Sequence, residues 1–203
     1  MIELTPLQQD ALSEIFNSGM GRAANALSRL ANDEIGLAVP TVVFSTRSAA
    51  AKILAESAGE RVCSVRQRVE GEFSADAILI FPEANSLEIL QLMVGDATLE
   101  NLNEMEQEAL SEIGNIILNA CIGALTDLVG GDFVVSLPTA NISTPADVLE
   151  LGKRDHDETV MLIYIDFVFS NRQIYGQVAI LLNVESMPVF MRKLEYFLAS
   201  VQG

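Results

Sequence analysis

The chain has 203 residues, half of them apolar, so it is long and apolar enough to bury a substantial core. Its formal net charge of −16, with the acids spread along the chain, argues against binding nucleic acid, whose phosphates would be repelled. The single histidine, His156, and two widely separated cysteines, Cys63 and Cys121, make a catalytic triad or a metal site hard to assemble. We therefore expect no metal centre and no cofactor of the protein's own.

The amino-terminal residues and the apolar segments indicate where in the cell the protein is expected. The first residues lack the basic-then-apolar pattern of a signal peptide, and no apolar run reaches the roughly 18 residues that span a bilayer. The segment 113–129 is apolar on most sides, but Asn115, Asn119 and Asp127 interrupt it, so it is predicted to be a core helix. We expect a cytoplasmic protein that does not insert into a membrane.

A short segment of the chain occurs twice. Residues 11–17, ALSEIFN, recur as residues 109–115, ALSEIGN, with Phe16 and Gly114 as the one difference. The same offset of 98 residues carries Pro40 onto Pro138. This recurrence predicts an internal duplication, with repeats over about 5–95 and 103–200 that share one core in a single domain of residues 1–203.

Hydrophobic periodicity and turn signals predict the same order of elements in each copy. In the first copy these are, in chain order, a long helix ending at Asn32, a strand-like run over 35–44, a short helix over 48–58, a hairpin over 61–70 and 76–81, and a helix over 86–94. After a seam over 95–103, the second copy has a long helix ending at Gly130, a strand-like run over 133–142, a short helix over 145–151, a hairpin over 159–170 and 173–182, and a helix over 186–199. The prediction is an α+β fold (two-layer α/β) with pseudo-twofold repetition, in which an antiparallel sheet packs against the two long helices.

Each long helix carries a row of polar residues at spacings that place them on one face. The first row is Asp10, Glu14 and Asn17, and the second is Glu108, Glu112 and Asn115. In a single copy, acids in the first turns and an exposed asparagine would have an ordinary explanation in the helix dipole and weak helix propensity. Because both rows persist in the same register, we interpret them as functional and expect them to face solvent or a partner.

With the matched prolines, these rows resemble the signature of the CheC, CheX and FliY phosphatases. That signature has Asp or Ser, Glu four residues later, Asn three residues further on, and a proline 23 residues beyond the Asn. The first copy matches it in full through Pro40, whereas the second, ending at Pro138, differs by having Glu108 at the leading position. Two motifs in about 200 residues resemble CheC more than the single-motif CheX, or FliY with its added flagellar switch segments.

The resemblance implies an activity: dephosphorylation of the aspartyl phosphate on a CheY-like response regulator. It implies that Asn17 and Asn115 position the attacking water, while Glu14 and Glu112 pair with a lysine of the partner. The partner would supply its own Mg²⁺, so the phosphatase needs no nucleophile, metal or cofactor.

Two other functions remain open from the sequence. Relatives of CheC bind the receptor deamidase CheD through a short helix in the second half, and the residues that we nominate for this contact are Asp147, Val148 and Leu149. The sequence favours the other interpretation of this segment, a connecting helix packed on the sheet edge. The other possibility is a structural part of the flagellar switch, although a scaffold would not need to keep two Glu/Asn rows.

Overall fold

The structure is a computed structural model, and it describes residues 3–39, 41–86, 102–151, 158–169, 172–182 and 186–202. The first half contains α1 (Pro6–Ala31), β1 (Ile35–Ala38), β2 (Val42–Thr46), α2 (Arg47–Ala58), β3 (Val62–Glu70), β4 (Ala75–Pro82) and a 3₁₀ turn (Glu83–Asn85). The second half contains α3 (Leu102–Val129), β5 (Val134–Val135), β6 (Thr139–Ser143), α4 (Pro145–Val148), β7 (Thr159–Phe169), β8 (Arg172–Leu182) and α5 (Ser186–Gln202). The predicted helix over 86–94 and the seam over 95–103 fall almost entirely outside the described residues.

One antiparallel sheet of eight strands joins both halves of the chain. Its order is β1-β7-β8-β4-β3-β5, with β2 paired to β7 and β6 paired to β3 at the two ends. The centre of the sheet lies between β4 and β8, one strand from each half. The predicted α+β fold class is therefore confirmed.

The strand register preserves the 98-residue offset of the sequence repeat. Ser45 of β2 pairs with Val160 of β7, and Ser143 of β6 pairs with Val62 of β3. Each member of the second pair is related to one member of the first by that offset. Residues of β3 and β7 can therefore be compared position by position, and this comparison distinguishes the two candidate sites below.

Helices cover both faces of the sheet. The larger core lies between the sheet and α1, α3 and α5, and contains the buried side chains of Phe16, Val65 and Ile165. A smaller core on the other face packs α2 and α4 against residues such as Ile78 and Leu162. These two short helices add a partial third layer to the predicted two-layer arrangement.

Capping residues mark the ends of the long helices. Thr5 caps α1 in a reciprocal capping box with Gln8, and Asn32 ends it in the left-handed conformation with φ of 50°. Gly130, with φ of 77°, follows the last residue of α3. The stretch Gln107–Val129 is long and apolar enough to cross a membrane, but 56% of its most apolar window is buried in the fold, as in a core helix.

The strand-like runs that follow the long helices are each divided. The predicted strand over 35–44 becomes β1 and β2, separated at Val39, and the predicted strand over 133–142 becomes the two-residue β5 and β6. In the first copy the main chain leaves the sheet at Val39 because its N–H and C=O bond to a side chain of α1. That side chain belongs to Asn17.

Candidate functional site

The motif residues lie on the outer surface of the long helices. Asp10, Glu14 and Asn17 are exposed on α1, and Glu108 and Glu112 are exposed on α3, while Asn115 is half-buried. The opposite face of α1 packs against the core, because Leu12 and Phe16 are fully buried. In each copy a carboxylate and a carboxamide therefore stand one helical turn apart on a rigid, core-backed element.

In the first copy, both polar atoms of the Asn17 side chain bond to the main chain of Val39. Its Nδ2 donates to the Val39 carbonyl oxygen at 3.1 Å, and its Oδ1 accepts from the Val39 N–H at 2.7 Å. Because one partner atom is an obligate acceptor and the other an obligate donor, the orientation of the carboxamide is fixed. One N–H and one lone pair of Asn17 remain available to a partner or to water.

This pair of bonds gives a physical reason for the spacing between the motif Asn and the motif Pro. Val39 immediately precedes Pro40 in the sequence, and a residue before proline is held in an extended conformation. An extended residue can present its N–H and C=O together to a side-chain amide. Pro40 itself lies outside the described residues, and Pro138 is half-buried.

The second copy holds its asparagine differently. Oδ1 of Asn115 accepts from Nε2 of Gln67 in β3 at 3.1 Å and from Nδ2 of Asn119 at 2.9 Å. Leu137, at the position of Val39, is 88% exposed, and within the described chain its main chain makes no bond to Asn115. Side chains rather than main chain therefore orient the second carboxamide.

A close approach of α3 to β3 makes this arrangement possible. Gly114 lies so near Val65 that a Cβ atom on it would stand 2.4 to 2.8 Å from the Val65 side chain. Val65 and Gln67 are two residues apart on one strand and point to the same face of the sheet. The glycine therefore brings Asn115 within reach of Gln67, whereas the first copy has the buried Phe16 at the matching position.

A groove runs beside Glu14 between α1, α3 and α5. It has a volume of about 250 Å³. Ile15, Ala124 and Phe197 form part of its apolar wall, and Glu14, Arg22 and Asp127 supply the charges. The carboxylate of Glu14 is thus next to a space that can admit a side chain of a docked molecule.

The nominated CheD-binding residues lie at and after α4. Asp147 is exposed, and its N–H bonds to the capping hydroxyl of Thr144. The side chains of Val148 and Leu149 are buried, 5% and 0% exposed. In this conformation only Asp147 of the three presents its side chain to a partner, and the segment packs as a connecting helix does.

The described residues contain no group of three or more histidine, cysteine, aspartate or glutamate side chains that could hold a metal ion. His156 lies outside them. Cys63 and Cys121 are both buried, and burial raises the pKa of the Cys121 thiol to about 12. Cys121 is therefore protonated and unreactive at neutral pH.

Sequence reasoning did not identify Gln67, Asn119 or Val39 as parts of the sites. Gln67 did leave a signal, since it is a glutamine in β3 where β7 has Ile165 at the position related by the offset of 98 residues. A polar residue in an otherwise buried strand position needs a partner. The contacts of Val39 are made by its main chain, which its residue type does not reveal.

Comparisons with known proteins agree with the motif. A model of the CheC-like family matches residues 7–44, which include the whole first motif. The CheY-P phosphatase CheC of Bacillus subtilis is 28% identical over 149 residues, which cover 71% of this chain and 71% of that protein. The flagellar motor switch phosphatase FliY of the same species is 22% identical over 81% of this chain and 43% of its own length.

A solved structure has the same fold. The crystal structure of Thermotoga maritima FliY superposes with a TM-score of 0.73, at 20% sequence identity, over 97% of this chain and 98% of that one. At this identity the match describes the fold alone. In sequence, through residues 7–44 and the first motif, the chain is similar to the CheC-like family, and its fold is the one seen in FliY.

Proposed function

We propose that this protein is a cytoplasmic phosphatase that hydrolyses the aspartyl phosphate of a CheY-like response regulator. The observation that carries the proposal is the presence, on both long helices, of an exposed glutamate one turn from an asparagine whose carboxamide is held in a fixed orientation. The names of the relatives from Bacillus subtilis, which include two phosphatases, support the same activity.

Hydrolysis of an aspartyl phosphate requires few catalytic groups from the phosphatase. An aspartyl phosphate is already an activated acyl phosphate, and the response regulator would bring the Mg²⁺ that neutralises its oxygens. Asn17 and Asn115 would hold the attacking water in line, a contribution of positioning rather than of acid–base chemistry. Rigid placement matters for such a role, and both carboxamides are fixed by at least two hydrogen bonds.

The glutamates would dock the partner. In the proposed complex Glu14 and Glu112 each pair with a lysine of the response regulator. The groove beside Glu14 has apolar walls that suit the methylene stem of a lysine, and the carboxylates of Glu14 and Asp127 suit its ammonium group. Removal of the carboxylate of Glu14 or of Asp127 should therefore weaken binding of the response regulator more than it slows the chemical step.

A direct experiment is phosphate release from a receiver domain loaded with acetyl phosphate. We expect the wild-type protein to accelerate release and the double variant Asn17→Ala/Asn115→Ala to lose about 10²- to 10³-fold, as when a preorganised hydrogen-bonding group is removed from an enzyme site. Asn25→Ala is a matched control, because Asn25 is an exposed asparagine two turns further along α1. An unchanged rate in the double variant would eliminate the proposed chemistry.

The alternative is a non-catalytic adaptor that binds the deamidase CheD or a component of the flagellar switch. The relative named flagellar motor switch phosphatase favours the second of these partners over the first. The burial of Val148 and Leu149 means that a CheD contact through α4 would need Asp147 or a rearrangement. Binding of either purified partner without any acceleration of phosphate release would favour the adaptor.

A further inference from the structure

We propose that Gln67 is the positioning residue of the second site, where it fixes the Asn115 carboxamide with both N–H groups directed toward the docked partner. The inference rests on the proposed phosphatase function and deepens it. Gln67 is only 2% exposed and belongs to β3, whereas Asn115 belongs to α3. Gln67 therefore links the sheet to the motif asparagine through a hydrogen bond between side chains.

The orientation of the Gln67 side-chain amide follows from its contact with a carbonyl oxygen, which can only accept a hydrogen bond. Nε2 of Gln67 donates to the carbonyl oxygen of Ser136 at 3.2 Å. Ser136 is itself held on β3, because its N–H bonds to the Arg68 carbonyl and its hydroxyl accepts from the Arg68 N–H. The Gln67 atom that faces Ser136 must therefore be the nitrogen, and its second N–H points to Asn115.

This donor determines which atom Asn115 turns inward. An N–H of Gln67 requires an acceptor, so Oδ1 of Asn115 faces the sheet, and the N–H of Asn119 reinforces it. Both lone pairs of Oδ1 are then occupied. Nδ2 of Asn115 bonds to no described residue and is not a buried unpaired atom, so this nitrogen is accessible to solvent or to a partner.

Two free N–H groups suit an anionic target. An aspartyl phosphate and the carboxylates around it offer only acceptors, so a carboxamide that entered with its oxygen leading would be repelled. Asn115 can donate one N–H to the attacking water and the other to a neighbouring oxygen of the partner. Asn17 has only one N–H free, because Val39 occupies the other.

Gln67 retains a feature that stability alone does not explain. Its Oε1 is buried and has no hydrogen-bond partner within the described chain. An unpaired buried oxygen is destabilising, and an apolar side chain fits the same register position in the other copy, where Ile165 is 1% exposed. Retention of the amide is accounted for by its donor function toward Asn115.

The test uses the Asn17→Ala background, in which the second site alone turns over. Gln67→Met preserves the size of the side chain but removes the donor. We expect kcat to fall about tenfold while KM stays within about twofold, because docking is unaltered and water is placed less accurately. Gln177→Met is the matched control, since Gln177 is also a buried strand glutamine with an unpaired Oε1, and it contacts Ser57 rather than a motif residue.

An unchanged kcat for Gln67→Met, in a background where Asn115→Ala does abolish turnover, would overturn the inference and leave the phosphatase proposal intact. If Gln67→Met unfolds at a lower temperature than Gln177→Met, a lower kcat could reflect lost stability, so Asn119→Ala is measured instead. Asn119 is exposed and supplies the other donor to Oδ1 of Asn115, so its loss should also lower kcat without changing KM. An unchanged kcat in that variant would likewise overturn the inference.

A spectroscopic readout decides the point without any activity. In the ¹⁵N-labelled wild-type protein, the side-chain NH₂ protons of Gln67 should be protected from exchange with water, whereas those of Asn115 should exchange freely. The two signals are identified by their absence in Gln67→Met and Asn115→Ala. Protected Asn115 protons would overturn the inference. A complete lack of phosphate release by the wild-type protein would instead refute the phosphatase proposal. The proton-exchange measurement would still test how the Asn115 carboxamide is oriented.

Discussion

Two of the single-residue differences between the candidate sites act together. Gly114 replaces the buried Phe16, and Gln67 replaces the buried Ile165 at the position related by the repeat offset of 98 residues. The glycine lowers α3 onto β3, and the glutamine offers a hydrogen bond at the place where the helix arrives. The two differences are physically coupled, because the hydrogen bond requires the close approach.

We expect Gly114→Ala to destabilise the fold and to impair the second site. A Cβ at this position would meet two methyl groups and the Cβ of Val65 at 2.4 to 2.8 Å, so the helix must move away from the sheet. Overpacking of this kind costs about 1–3 kcal/mol of unfolding free energy. Urea denaturation measures the loss, and phosphate release in the Asn17→Ala background measures the effect on the site.

Gly123→Ala is the control for that substitution. It lies in the same helix, but its added Cβ would meet nothing within 4 Å. Alanine is a better helix former than glycine, so this variant should gain about 0.5–1 kcal/mol. Equal stability changes in the two variants would contradict the account of the α3–β3 contact.

The buried thiols give an independent check on the core. The pKa of Cys121 is raised to about 12 by burial, and Cys63 is also buried. At pH 8 the native protein should therefore resist labelling by Ellman's reagent, and both cysteines should react once urea unfolds it. Rapid labelling of Cys121 in the native protein would show that α3 is not packed as described.

At the scale of elements, the short α4 is held in place by arginines of the first half. The guanidinium of Arg47 is fully buried, donates to the Leu149 carbonyl at 2.6 Å and forms an ion pair with Glu158. Arg66 donates to the Val148 carbonyl at 2.6 Å. These contacts satisfy carbonyl groups at the end of the helix and join the two halves of the molecule.

Arg47→Met should destabilise the protein by about 3 kcal/mol, because it leaves Glu158 and a buried carbonyl without their donor. Phosphate release at saturating substrate should stay near the wild-type rate, since both motifs lie on the other face of the sheet. Arg61→Ala is the control: Arg61 also pairs with a glutamate, but it is 59% exposed, so its loss should lower the unfolding free energy far less. Similar unfolding midpoints for the two variants would refute a special role for Arg47.

At the scale of the whole molecule, the elements that the sequence predicted are those with local signals. The end of α1 at Asn32, the start of α2 near Arg47 and the two hairpins agree with prediction to within about two residues, because caps, turns and periodicity are short-range. The outward placement of Glu14 and Glu112 also followed from the apolar stripe on the opposite face.

The contacts that hold the site were not predictable in the same way. The Asn17–Val39 and Gln67–Asn115 bonds join residues 22 and 48 positions apart, and the first is made with main-chain atoms. Arg47 reaches partners more than 100 residues away. Such contacts depend on how a helix meets the sheet, and periodicity carries no information about that geometry.

We propose that the molecule contains two separate water-positioning sites, one on each long helix. The most direct measurement is the rate of phosphate release at saturating receiver domain for the wild type, Asn17→Ala, Asn115→Ala and the double variant. If the sites work independently, the rates of the two single variants, after subtraction of spontaneous release, should sum to the wild-type rate, and the double variant should retain only spontaneous release. A double variant that remains as fast as the wild-type protein would contradict the account.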